Sequence, residues 1–515
     1  MAEVVLEYEA RQKLIVLGAF FVACLGFVLL AVAISGQDIV MLTALMATVA
    51  FVVVFPFPKQ AIVLVILFAQ VQYLFTSYYG SMISQPVFPV TFQWLDEVIL
   101  LSLLGNLTLT KLLKREGLQK APALMILAVL FVVGILSSKL NDLSLLRGLI
   151  GERYVFEMVI LYLAIVNMNI DERFLRAVVY LLLGIGVFQA VVGFLEFGAK
   201  YHLYLAGNHD IVQGTWGGGS ANHLGIFFLC LSAIVLAGLR RRWYGPKAVL
   251  LGTFLMMLVM TSSRSGIVLS PIIFLLILRE KLKNPKYWIG FSIAVVFLVG
   301  TLAFYYRNTD AEVSRDLGAD EFFFQVTGRT RVIPIMSMVL HENSTFPILG
   351  TGPGTYLTPT GTFYGSRIYM QVESMMRTQE VIHPFVSASY AVLWMEYGML
   401  GLILFGLVLL RLFVYAWQQE KKARSFFWKD YFRALQAIIF IYAFVGGVFP
   451  LWTHFQASIY LWLFPAIGVR YVVLQKEKAT RRGGVGRAQR ETAPRSPSPA
   501  TSPLSSERQS SIHES

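Results

Sequence analysis

The sequence is poor in charge. Only 14% of its 515 residues are Asp, Glu, Lys or Arg, against roughly 25% in soluble globular domains. That shortfall leaves too few side chains to cover a soluble surface, which excludes a soluble enzyme and a disordered regulator. Cysteine is almost absent: Cys24 and Cys230 both lie inside apolar runs. This excludes a disulfide scaffold, and both are expected to be small buried hydrophobes. Histidine occurs seven times. His202, His209 and His223 fall close together in sequence but lack the tight i, i+4 pairing of helical metal sites, so no metal site is expected. Repeats of fixed period are also missing.

What is there instead is apolar sequence in long blocks. Hydrophobic residues make up 56% of the chain and the mean hydropathy is +0.64. Many blocks approach the ~20 residues needed to cross a bilayer. The run from Leu14 to Ile34 has no small-residue cleavage site after it and reads as a retained span, not a signal peptide. Further blocks follow at about 39–55, 60–79, 94–110, 121–138, 154–169, 174–197, 222–239, 247–262, 265–279, 287–306, 385–414, 434–450 and 457–474. The expected fold is therefore an all-α polytopic membrane protein of about 14 transmembrane helices (12–14).

Forty-three Lys and Arg against thirty Asp and Glu give a net charge of +13. With the N-terminus inside, the dense basic segments around 111–120, 240–247, 279–286 and 411–433 all fall on the inner side. Thirty-two of the 43 basic residues collect there. Lys and Arg set orientation in this way, so the positive balance is loop charge and no nucleic-acid partner is expected. Four regions follow: an N-terminal bundle over 1–306 with about 11 spans, a large and mostly helical outer loop over 307–384, about three C-terminal spans over 385–474, and a basic Ser/Pro-rich tail over 475–515. The tail cannot bury a core and is expected to be disordered. Both termini are placed in the cytoplasm, and the loop on the periplasmic or extracellular side of a bacterial inner membrane.

The candidate functional residues gather on the outer side. Lys200 to Ala221 is a polar, glycine-rich outer loop. Met260-Thr-Ser-Ser-Arg-Ser-Gly266 divides two apolar runs of about sixteen residues, or ~24 Å each. This places Arg264 at the tip of a helical hairpin just below the headgroups. A charge there either snorkels to lipid phosphate or holds the phosphates of a lipid-linked substrate. The large loop holds six arginines (307, 315, 329, 331, 367, 377) and no lysine. Either they pair with the loop's carboxylates or some form forks for phosphate oxygens. Pro347-Ile-Leu-Gly-Thr-Gly-Pro-Gly354 is either a tight structural turn or an anion-holding concavity, with Pro353 removing one donor. His383, followed by Pro384 where the chain returns to the membrane, is either structural or a proton acceptor.

These pieces in this order resemble the O-antigen ligase and polymerase superfamily, polytopic glycosyltransferases that use polyprenyl-diphosphate glycans. Four stretches carry the likeness: Gly214-Thr-Trp-Gly-Gly-Gly-Ser-Ala-Asn222, Thr261-Ser-Ser-Arg-Ser-Gly266, Gly328-Arg329 with Ile348-Leu-Gly-Thr-Gly-Pro-Gly354, and Glu396-Tyr-Gly-Met-Leu-Gly401. One feature departs from the family: its histidine usually stands about nine residues before the glutamate. Ser387 occupies that position, and His383 lies one helical turn earlier, on the same face if the helix has begun.

The resemblance implies a metal-independent, cofactor-free inverting transfer. Arg264, Arg329 and Arg331 would bind the diphosphate, with Asn222, Gly352 and Gly354 completing the donor site. His383 would be the base, with Glu373 or Glu380 as the alternative. The implied partners are a polyprenyl-diphosphate glycan donor, a glycan acceptor and the bilayer, with room for a chain-length regulator or flippase. Polymerisation of lipid-linked repeats, as for O-antigen or exopolysaccharide, is the first expectation. Ligation to lipid A core or protein is the second. A transporter or flippase, with Glu157, Glu196 or His454 as a coupling path, is the rival of another class. The chain lacks the two related halves common among transporters.

Overall fold

The computed structural model describes residues 48, 51–52, 54–82, 95–205, 211–217, 220–239, 245–284, 288, 292, 300, 335–342, 345–356, 366–378, 389–447, 451 and 455–492. The expected span 14–34 lies outside them, as do most of 39–55 and 287–306. Among the described residues the regular structure is all helical, with no strand.

The helices are α1 Pro58–Met82, α2 Leu95–Lys114, α3 Leu124–Leu140, α4 Leu145–Asn167, α5 Glu172–Leu205, α6 Ala221–Leu239, α7 Gly245–Met260 and α8 Arg264–Leu278. After them come the short α9 Phe346–Leu349, then α10 Arg367–Thr378, α11 Ser389–Lys422, α12 Phe426–Val445 and α13 Phe455–Thr492. Their ends follow the sequence. Pro58 opens α1, where its missing N–H costs nothing. Ser144 caps α4 by accepting from the Arg147 N–H at 3.3 Å. Asp96 and Glu97 in the first turn of α2, with Lys111 and Lys114 in its last, complement the helix dipole.

Among the described residues four helical segments are long and apolar enough to cross a membrane: Glu172–Leu203, Ala221–Leu239, Ser389–Lys422 and Gln456–Thr480. Others, such as α3, α7 and α8, are apolar but only 17, 16 and 15 residues long. The four long segments are the full-length spans among the described residues; the fourteen expected include 14–34 and most of 39–55 and 287–306, which lie outside them. α13 also continues to Thr492. The stretch 475–492, expected from composition to be disordered, is helical; Lys, Glu, Ala, Arg and Gln there favour helix, against Gly483, Gly484 and Gly486.

Contacts between helix ends define two poles. At one, Ser137 and Asn141 near the end of α3 meet the loop before α11, and the Tyr390 N–H in the first turn of α11 donates to the Gly446 carbonyl past α12. At the other, Lys59 meets Asp171, Trp428 meets Glu172, and Arg279 meets Glu420. The helices alternate in direction between these poles. The second is the basic pole, and the first is called the loop pole here. At the basic pole the Lys59 ammonium, bonded to the Asp171 carboxyl at 2.7 Å, holds that acid below the usual carboxylate range.

One large apolar core runs through the bundle. A second, smaller core belongs to the 307–384 region. Ile335, Met336, Val339, Leu340, Tyr356 and Val372 pack there against Val392 and Met395 of α11. Ile368, Val372 and Met375 present one face of α10 to it, at i, i+4 and i+7.

Candidate functional site

The chain from Ile211 to Trp216, read from its glycine content as an outer loop, is drawn into the bundle: Ile211, Val212, Thr215 and Trp216 are all buried. Its polar groups find partners inside the spans. The Glu196 carboxylate accepts from the Gln213 and Gly214 N–H groups at 2.7 Å each and from Lys200 at 2.6 Å. The Thr215 N–H donates to Gln189 Oε1 at 3.1 Å, and Gln189 Nε2 donates to Thr215 Oγ1 at 2.5 Å. The Thr215 hydroxyl in turn donates to the Gln70 carbonyl. Gln70 Oε1 accepts from the Trp216 indole at 3.0 Å, while Gln70 Nε2 donates to the Tyr460 hydroxyl at 2.5 Å. Each polar atom in this core network is satisfied, as burial demands, and four parts of the chain are tied at one level. Gln70 and Gln189 stand outside every motif of the sequence. The signal was an amide standing in the middle of an apolar span.

Gly214 stands at φ +59°, and a Cβ there would lie 2.5 Å from Gln189 Oε1. Ser220 then leads into α6, where Asn222 lies in the first turn. The hairpin of α7 and α8 reaches this turn. Thr261 and Ser263 are fully buried, and Ser262 adopts a left-handed φ of +52°. The Ser263 hydroxyl donates to the Asn222 carbonyl at 3.3 Å. Gly225 permits the approach, since a Cβ there would fall 2.3 Å from that of Ser263. Arg264 is the first residue of α8, so two motifs about forty residues apart are joined at the loop pole.

The other two motifs also meet. Within α11, Gly398 leaves helical geometry (φ 68°, ψ −172°). A break there takes the Met395 and Glu396 carbonyls out of the i to i+4 ladder. The loop after α9 fills the vacancy: the Thr351 N–H donates to the Met395 carbonyl at 2.7 Å and the Gly352 N–H to the Glu396 carbonyl at 3.0 Å. Buried Glu396 accepts from the Tyr356 N–H at 3.1 Å. On the other side Ser137 Oγ and Asn141 Nδ2 donate to the Gly350 carbonyl, each at 3.1 Å. Gly151 of α4 lies so close that a Cβ would be 2.3 Å from the Pro353 carbonyl carbon.

The expected role of the glycines changes accordingly. Gly350, Gly352 and Gly354 all have positive φ, at 77°, 99° and 80°, as the turn requires. The Gly352 N–H, however, is committed to Glu396 and is not presented to an anion. The turn is a joint between the loop and the bundle.

Beneath it the Tyr397 hydroxyl donates to Glu152 Oε2 at 2.8 Å. Nearby, Asp96, Glu97 and Glu157 bring ligand-type oxygens within 4.8 Å of one another. Arg153 sits among them, in contact with Glu97 and with its Nε 3.8 Å from Glu157, so counter-charge comes from within the protein. His223 is buried in α6, while His202 is exposed at the end of α5.

Of the remaining expected site residues, Arg329, Arg331, His383 and Glu380 lie outside the described residues, as do His209 and His454. Glu373 lies within α10.

Residues 248–406 match the O-antigen ligase family. The matched stretch holds the α7–α8 hairpin, the glycine turn and the break in α11. It carries the resemblance to the O-antigen ligase and polymerase superfamily. No curated protein matches the chain in a sequence search.

Proposed function

We propose that this membrane protein is a glycosyltransferase that polymerises lipid-linked oligosaccharide repeat units at the loop pole of its bundle, facing out of the bacterial inner membrane. The observation that carries the reading is the bond from Ser263 to the Asn222 carbonyl. It sets the arginine that opens α8, which lies in the stretch matching the O-antigen ligase family, beside the start of α6, which precedes that stretch.

The donor is a polyprenyl-diphosphate glycan. Arg264 and Arg329, with Arg331 beside the latter, grip the diphosphate, and Asn222 lies alongside. His383 takes the proton from the acceptor hydroxyl, with Glu373 or Glu380 as the alternative base. The acceptor oxygen bonds to the anomeric carbon from the face opposite the leaving group, so configuration inverts. The bond between that carbon and the phosphate oxygen breaks, and its electron pair leaves on the diphosphate. The guanidinium groups stabilise that growing charge most strongly in a dry site. Gly352 serves this site by seating the loop on α11, and Gly354 by letting it pass close to Gly151 of α4.

Transfer to lipid A core or a protein hydroxyl is the second reading, favoured by the name of the matched family. Purified protein incubated with a polyprenyl-diphosphate oligosaccharide and sized on a gel separates the possibilities. A ladder supports polymerisation, and transfer only to an added acceptor supports ligation. An unchanged substrate that nonetheless crosses the vesicle membrane contradicts both and indicates a transporter.

A further inference from the structure

The basic pole carries a cleft that the glycan chemistry does not use. It lies where α13 leaves the apolar core and passes the turn between α11 and α12, with a volume of about 600 Å³. Lys422, Arg424, Lys476 and Lys478 line it, against the single carboxylate of Glu172. Lys478 is paired with that carboxylate at 3.2 Å. Among the described residues Lys422, Arg424 and Lys476 have no carboxylate within salt-bridge distance. Its apolar lining includes the half-buried Ala423 and Val472 and the exposed Ala479, besides the buried rings of Phe432 and Tyr471. The cleft exists because α13 stays helical beyond Leu474 and so brings Lys476 and Lys478 opposite the α11–α12 turn.

Its depth is marked by neighbouring side chains. Trp417 is 45% exposed, with the Lys421 ammonium 4.2 Å from its ring centroid, and Phe426 is 69% exposed. Exposed aromatics beside lysines are the signature of the headgroup level. Basic pockets between membrane helices at that level recognise anionic headgroups.

We infer that this cleft binds an anionic phospholipid of the leaflet at the basic pole. The phosphodiester lies between Arg424, Lys422 and Lys476, and the first part of an acyl chain lies on Ala423, Val472 and Ala479. A bare anion meets only half of this surface, because it leaves the apolar lining uncovered. The inference does not depend on the glycosyltransferase reading.

The test uses full-length protein in a neutral detergent, titrated with dioleoyl-phosphatidylglycerol or dioleoyl-phosphatidylcholine and followed by native mass spectrometry. Each cation near an anionic headgroup contributes about fivefold in affinity. Arg424→Gln with Lys476→Gln should therefore weaken phosphatidylglycerol binding about thirtyfold. Phosphatidylcholine binding and the thermal midpoint in neutral detergent should stay unchanged. Lys114→Gln with Lys120→Gln, exposed on another basic loop, should change phosphatidylglycerol affinity less than about twofold. Inorganic phosphate should fail to compete at equal concentration. Equal affinity for the two lipids, an equal loss from the control pair, or full competition by inorganic phosphate would each overturn the inference.

Discussion

Gly350 and Gly398 are locked against each other, although 48 positions separate them. A Cβ on Gly350 would fall 2.4 Å from the Glu396 carbonyl carbon, and one on Gly398 would fall 2.1 Å from the Ile348 carbonyl oxygen. Both stand at positive φ, 77° and 68°. The turn after α9 and α11 are thereby held as one unit, backbone against backbone, with no side chain between them.

Replacing either glycine by alanine should be among the most damaging small changes in the chain. The left-handed backbone strains any L residue, and the contact atoms are backbone that cannot swing away. Gly398→Ala and Gly350→Ala should each cost about 2–4 kcal/mol. The loss can be measured as a lower thermal midpoint and lower yield in detergent. Alanine at Gly252, which has nothing within 4 Å of the added Cβ, should leave both unchanged.

Thr215→Val keeps the shape of the side chain and removes its hydroxyl. The Gln70 carbonyl then loses a donor and Gln189 Nε2 loses the nearer of its two acceptors, keeping Gln70 Oε1 at 3.3 Å, all in a buried layer. A cost of about 1–3 kcal/mol is expected. Thr108→Val, whose hydroxyl meets only a carbonyl of its own exposed helix face, should cost less than about 0.5 kcal/mol. Chemical denaturation of the two variants side by side checks the difference.

The ion pairs of the basic pole should differ sharply in worth. Arg433 is fully buried, and its Nε donates to Glu420 Oε1 at 2.6 Å. Arg279 and Gln436 also donate to Glu420, at 2.6 and 2.7 Å. Glu420→Ala removes the buried carboxylate and leaves Arg433 with the half-exposed Glu280, bonded at 2.6 Å, and should cost about 2–3 kcal/mol. The Lys59–Asp171 pair is about half exposed on each side, and Asp171→Ala should cost under about 1 kcal/mol. Because the folded Asp171 carboxyl titrates below its unfolded value, its contribution is present above about pH 4 and lost as pH falls further. Thermal midpoints measured across that range should show a small loss in the native chain that Asp171→Ala lacks.

The sequence announced some of this architecture plainly. Thr261-Ser-Ser-Arg-Ser-Gly266 breaks a long apolar run with polar residues, and a helical hairpin turns there. The seat of the glycine turn was hidden, because the carbonyls that receive it become free only when Gly398 breaks α11, far along the chain. The burial of Ile211 to Trp216 before α6 is hidden for a similar reason. The glycines and polar residues there signal exposure locally, while the groups that satisfy the segment, Gln70 and Gln189, stand inside apolar spans. The length of α13 past Leu474 was also misjudged, since charge and lost hydrophobicity mark the end of a span but not the end of a helix.

The most direct test of the whole account is chain lengthening by the Arg264 variants. Purified protein carrying Arg264→Ala or Arg264→Lys is compared with the native chain on a polyprenyl-diphosphate oligosaccharide, with thermal midpoints recorded in parallel. A guanidinium fork bound to diphosphate is not replaced by a point charge. Alanine should therefore abolish the product ladder and lysine should restore little of it, both at unchanged midpoint. A native ladder from the alanine variant would contradict the proposed role of this arginine, and with it the site built around the α7–α8 hairpin.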